Sequence, residues 1–166
     1  MDLNQLADVL VSAKISSYAK SSLPPDEIED ISPLAKKTVL PDGKKIFEFE
    51  QNGFRYLDNY SGFNPFKGKE TVFFLGQPAW EMAYQGEVTD SDIEPKTVYE
   101  FLKKALRHVT IAKPFRGPSH FTEGEFEYFN KVEGDIKRFQ GHETIRFNNQ
   151  EVYQLDYYGG LLKNSL

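Results

Sequence analysis

The sequence predicts an α+β fold of two pseudo-repeated units. Each unit is a helix followed by antiparallel strands, and together they form a curved antiparallel sheet packed by two helices. Three observations predict it. First, the chain matches itself. Phe54, Tyr56, Gly62, Phe66, Gly68, Glu70, Thr71, Phe74, Gln77, Tyr84 and Gly86 recur as Phe126, Tyr128, Gly134, Phe139, Gly141, Glu143, Thr144, Phe147, Gln150, Tyr157 and Gly159. The offset is 128 − 56 = 72 in the first part and 139 − 66 = 73 in the second, so one inserted residue keeps the register. A self-match at constant spacing bears directly on architecture. Second, a helical apolar period precedes each copy. Third, short turn signals separate the strand patterns, which makes neighbouring strands antiparallel.

Residues 2–19 read as the first helix. Leu3, Leu6, Ala7, Leu10 and Lys14 share one face with Ala13 beside it, and Asp2 with Gln5 makes a capping box. Residues 20–35 read as an acidic, proline-rich loop. Pro41-Asp42-Gly43 is a turn. Residues 44–60 form a hairpin with Asn52-Gly53 at its tip, a pair that sets the register: Gln51 faces Phe54, Glu50 faces Arg55 and Phe49 faces Tyr56. Phe47, Phe49, Phe54 and Tyr56 then share the core face, with Asp58 continuing that row. A second hairpin, 70–75 and 79–86, turns at Gly76-Gln77. The second helix spans 97–109. Thr97 and Glu100 suggest a capping box, and Val98, Phe101, Leu102, Ala105, Leu106 and Val109 make its apolar stripe. Further strands follow over 121–132, 143–147 and 152–160, with turns at Glu123-Gly124 and Asn148-Asn149. The whole reads as a single domain, 1–166, with the internal repeat over 54–86 and 126–159.

A chain of 166 residues without cysteine has neither disulfides nor thiolate metal sites, and a cytoplasmic location is the expectation. The net charge of −5 lacks the basic footprint of a nucleic-acid binder. Lys103, Lys104 and Arg107 form a cationic cluster that reads as a solvated helix face. The first residues show neither a basic n-region nor an apolar h-region, so a signal peptide is not expected, and no apolar run approaches the roughly 20 residues of a membrane helix.

Catalytic signatures are missing. Residues 62–70 have a P-loop flavour, but five residues separate the glycines, Glu70 stands where a Ser or Thr must bind magnesium, and Pro65 intervenes. His108, His120 and His142 lack partners at metal spacing. Glu70 and Glu143 are repeated acids. They suit either a structural role at a strand start or a carboxylate pair for acid–base work. No catalytic residue, metal or cofactor is assigned. Residues that break the repeat, or that offer amphipathic rings, are the better pocket candidates: Asp58, Tyr60, Trp80, Tyr84 and Arg116, the last as an anion clamp.

Several segments resemble a known family. They are Tyr56-Leu-Asp58-Asn-Tyr60, Phe66-x-Gly-x-Glu70, residues 77–86 (Gln-Pro-Ala-Trp-Glu-Met-Ala-Tyr-Gln-Gly), Phe115-Arg116-Gly117-Pro118, Phe139-x-Gly141-x-Glu143 and Tyr153-x-Leu-x-Tyr-Tyr-Gly159-Gly160. In order along the chain they resemble the bacterial domain of unknown function 5680. Members of that family often look like the C-terminal part of helix-turn-helix regulators, which implies a sensor or effector-binding role. This chain shows no helix-turn-helix ahead of its strands, and the resemblance brings no catalytic residues with it.

The expectation is therefore a non-enzymatic module of sensor or regulatory type that binds a small molecule or a partner protein. A small hydrolase- or isomerase-like enzyme using acidic residues, and an interaction domain forming a homodimer through a free sheet edge, are the alternatives.

Overall fold

The computed structural model describes residues 1–20 and 34–163. The loop read over 20–35 falls for the most part outside them. Helix α1 is Leu3–Lys20 and α2 is Pro95–Leu106. The strands are β1 (Ala35–Val39), β2 (Lys45–Gln51), β3 (Phe54–Gly62), β4 (Phe66–Phe74), β5 (Gln77–Val88), β6 (His120–Glu123), β7 (Phe126–Asp135), β8 (Arg138–Phe147) and β9 (Gln150–Leu161). All nine join one antiparallel sheet in the order β1-β2-β3-β4-β5-β9-β8-β7-β6. No described helix is long and apolar enough to cross a membrane.

This corrects the α+β expectation of two helix-plus-strand units. The two helices supply only 18 and 12 residues, and one continuous sheet dominates the molecule. The physical reason lies at the centre. Strands β5 and β9 have 12 residues each, and either one left unpaired would be a long exposed edge. They pair with each other from Trp80↔Leu161 to Val88↔Tyr153, with Tyr84 opposite Tyr157. That ladder merges the two sets of strands into one body.

Local signals account for much of the rest. Asn52 and Gly53 both take positive φ, 51° and 80°, as a two-residue hairpin tip requires. The pairs Gln51↔Phe54, Glu50↔Arg55 and Phe49↔Tyr56 are those the turn dictates. The start of α2 differs from the capping box read at Thr97. Pro95 presets the helical φ, so the helix begins two residues earlier, behind Glu94, whose side chain makes no capping bond. Strands β4 and β8 also begin earlier than their apolar patterns suggest, at Phe66 and Arg138.

Helix α1 lies against β1–β3 and α2 against β6 and β7, and the two helices touch each other. Leu6, Leu10 and Ala13 of α1 join Val98, Leu102 and Ala105 of α2 in one core with the inward-facing strand residues. Each large apolar side chain fully buried there stabilises the fold by about 1.5–3 kcal/mol. Such a core can carry a polar cluster at its centre.

Candidate functional site

Cross-strand rows on the helix-facing side of the sheet build the site. One row runs Phe47, Asp58, Glu70 and Met82 across β2 to β5. Asp58 and Glu70 are therefore direct neighbours, an arrangement that like charges disfavour. The next row runs Tyr60, Gly68, Tyr84, Tyr157, Gly141 and Val132. Gly68 leaves the space through which Tyr84 crosses. A Cβ at position 68 would lie 2.3 Å from the Tyr84 hydroxyl and 2.7 Å from Tyr60 Cβ. The Tyr84 hydroxyl thereby donates to Asp58 Oδ1 at 2.8 Å. The same device recurs with Gly141. There the Tyr157 hydroxyl donates to Asn130 Oδ1 at 2.9 Å, and Asn130 faces Glu143 as Asp58 faces Glu70.

Each buried glutamate has its own cation. Lys14 of α1, fully buried, pairs with Glu70. Arg116, from the connection between α2 and β6, grips Glu143 in a fork: Nε donates to Oε1 and Nη2 to Oε2, both at 3.0 Å. The Tyr128 hydroxyl also donates to Glu143, at 2.5 Å, and accepts from the Gly117 N–H at 3.1 Å. Glu70 and Glu143 are thus neither strand-start caps nor a facing catalytic pair. They are charges buried under separate cations. Burial pulls the Lys14 ammonium below its ordinary range against the raising effect of Glu70.

Among the described residues Asp58 has no ion pair of its own. Burial, then the charge of Glu70, push its carboxyl up to about 7, against the lowering effects of the Tyr84 hydrogen bond, Lys14 and Arg116. Burial and then Asp58 push Tyr60 up to about 12. The Arg116 guanidinium lies 5.5 Å over the Tyr84 ring, which links the two carboxylate centres.

A cavity of about 260 Å³ opens beside Asp58. Asp58, Tyr60, Tyr84 and Arg116 all line it. Phe63, Phe66 and Tyr99 add an aromatic wall, with Phe63 and Phe66 edge-on to Tyr99 at 5.5 and 5.4 Å. Leu102 and Leu106 close it from α2. Trp80 lies elsewhere. It is fully buried, stacked on Phe139 at 5.5 Å, and donates its indole N–H to the Ile136 carbonyl. The structure thus brings together four of the five residues singled out in the sequence and places Trp80 in the core.

Sequence reasoning missed the lysines. Lys37 of β1, Lys45 of β2, and Lys96 and Lys103 of α2 surround the same cavity. Positions 96, 99 and 103 fall on one helical stripe, a signal that could have separated Lys103 from the solvated face carrying Lys104. Lys104 does turn away, to Glu123. Nothing local connects Lys37 and Lys45 to that stripe. The histidines do not enter the cavity. His120 meets Glu127 at 2.9 Å, His142 meets Asp156 at 2.6 Å, and His108 packs on Phe121.

A family model described as domain of unknown function (DUF5680) matches residues 58–162. That span begins at Asp58 and includes Tyr60, Tyr84 and Arg116. Lys14 and Lys37 lie outside it. No curated protein and no solved structure matches the chain.

Proposed function

We propose that this chain, which belongs to the DUF5680 family, is a non-enzymatic small-molecule-binding module of sensor or regulatory type, working in the cytoplasm. The ligand occupies the cavity between α2 and the β2–β5 side of the sheet. One observation carries the reading: Asp58, Tyr60, Tyr84 and Arg116, drawn from two strands and a distant connection, converge on that cavity. Concave sites with an apolar wall and a few convergent polar groups are the usual form of a ligand site.

The comparison with the other half supports it. We read β3–β5 and β7–β9 as duplicated segments. In the second, the 115–118 connection packs where the first leaves space: Asn130 Nδ2 donates to the Gly117 carbonyl at 3.0 Å and Arg116 covers Glu143. There the equivalent of Asp58 is an amide with its hydrogen bonds filled. Only the first half pairs an ionisable Asp58 with open volume. The cavity holds Ser17 but no histidine to activate it, which favours binding over acyl chemistry. Edge-to-edge homodimerisation has less support, because the edge strand β1 carries Lys36 and Lys37 and the other edge, β6, has four residues.

A thermal-shift screen of metabolite-sized compounds tests the reading, since a ligand that binds only the folded chain raises Tm. Hits on the wild type should lose their shift in Tyr60→Ala and Tyr99→Ala. Both residues are part-exposed, so these variants should fold. Hits that survive both substitutions would place the ligand elsewhere.

A further inference from the structure

The cavity is basic in an acidic protein. The chain carries a net charge of −5, yet Lys37, Lys45, Lys96 and Lys103 gather at one opening from three separate elements. The acids lining that cavity are Asp58, at its inner wall, and Glu100. None of the four lysines makes an ion pair among the described residues. Their chain neighbours do: Lys44 reaches Asp42 and Lys104 reaches Glu123. The fold therefore pairs lysines beside the opening with acids and leaves those around it without one, Lys45 lying 5.5 Å over the Tyr60 ring.

That arrangement has a cost. Lys37 and Lys103 are both half-buried. Burial holds both ammonium groups below their ordinary range; the charge of Lys45 adds to this at Lys37, and at Lys103 it adds to it against the larger raising effect of Glu100. Stability alone would favour neutral side chains at these positions. A ligand that brings negative charge relieves the repulsion and turns the cost into affinity. The wall beside the lysines is apolar. Phe63 is 56% exposed at the mouth, and Tyr99 stands edge-on to it. An inorganic ion would leave that wall wet, whereas a ring or short chain would cover it. The volume, about 260 Å³, lies just under the roughly 300–1,000 Å³ typical of drug-sized ligands.

We infer that the ligand is a small organic anion, a carboxylate or phosphate on a ring or short chain, with its charge among Lys37, Lys45 and Lys103 and its apolar body against Phe63 and Tyr99. This rests on the reading of the cavity as a binding site, and it adds the chemistry of what is bound.

The test compares benzoate, phenyl phosphate, inorganic phosphate and neutral benzyl alcohol at equal concentration and ionic strength. Thermal unfolding and calorimetric titration are run on the wild type, on a Lys37→Gln/Lys103→Gln variant and on Tyr60→Ala. Benzoate or phenyl phosphate should raise the wild-type Tm by several degrees, with inorganic phosphate and benzyl alcohol well behind. Which of the two organic anions prevails tells carboxylate from phosphate. The double-glutamine variant should melt higher than the wild type without ligand, and should bind the organic anion at least tenfold more weakly. Benzyl alcohol matching the anions, or undiminished binding by the glutamine variant, overturns the anion inference while leaving the cavity a binding site. A shift from inorganic phosphate alone overturns it as an adventitious ion only. An organic-anion shift that Tyr60→Ala leaves untouched, or no shift from any probe, removes both readings.

Discussion

Replacing Asp58 by asparagine tests the electrostatic account of the cluster directly. The core buries three carboxylates, Asp58, Glu70 and Glu143, against two cations, Lys14 and Arg116. Asp58 is the odd charge, and burial with Glu70 beside it moves its carboxyl from the ordinary 3.8 up to about 7. The sign follows from the raised value. Between these two pH values the folded chain holds a proton that the unfolded chain has released. The contribution of Asp58 to stability is thus full below about pH 3.8, falls as pH rises, and levels off above about pH 7. Three pH units at about 1.4 kcal/mol each amount to a penalty of roughly 4 kcal/mol at pH 8. Asparagine carries no such penalty, and Asn130 accepts the equivalent tyrosine hydrogen bond in the same protein. The new amide N–H groups need acceptors, which takes back part of the gain. The expected net stabilisation is about 2–4 kcal/mol at pH 8, or a Tm rise of roughly 5–15 °C for a domain of this size. Urea denaturation of both proteins at several pH values from about 4 to 8 measures it. The difference should be small at the acid end and widen steadily to about pH 7. A variant no more stable than wild type at pH 8, or a gap independent of pH, would refute the reasoning.

Two further outcomes follow from the same geometry. Arg116→Met strips Glu143 of its forked partner in a fully buried setting and should cost about 3–5 kcal/mol by chemical denaturation, with Glu143→Gln in the same chain recovering part of the loss. Gly141→Ala places a Cβ 2.1 Å from Tyr157 Cζ, so the ring must leave Asn130. A loss of about 1–3 kcal/mol in denaturation is expected, and an unchanged midpoint would show that the crossing of Tyr157 over Gly141 is not required.

Parts of the site were legible in the sequence for definable reasons. Asp58 continues the inward row of Phe54 and Tyr56, so strand alternation alone aims it at the core. Lys14 falls on the apolar face of its helix, which is where the structure buries it. Arg116 stood out as an anion clamp in the connection between the copies, and Asp58 and Tyr60 because they break the pattern shared by 54–86 and 126–159. Trp80 stood out for the same reason and is a core ring, because size and sequence novelty do not tell a pocket wall from a packing residue. The fold class was misjudged. Two helix patterns and two strand sets suggested paired units, whereas the β5–β9 ladder makes one sheet.

The sequence by itself determined the alternation of inward and outward residues, the register of the Asn52-Gly53 hairpin, the Asn148-Asn149 turn and the buried faces of both helices. These depend on neighbours a few residues apart, where turn chemistry and side-chain period act. The turns read at Gly76-Gln77 and Glu123-Gly124 instead lie one residue away, at Leu75-Gly76 and Gly124-Glu125, where strand pairing takes up Gln77 and Glu123. Tertiary structure alone decided that nine strands share one sheet, that Lys14 serves Glu70 from 56 residues away, and that Arg116 serves Glu143 across 27. It alone gathered Lys37, Lys45 and Lys103 around Asp58. Charge pairing and cavity formation depend on which elements stack, and the sheet order that stacks them is set by burial of the whole core.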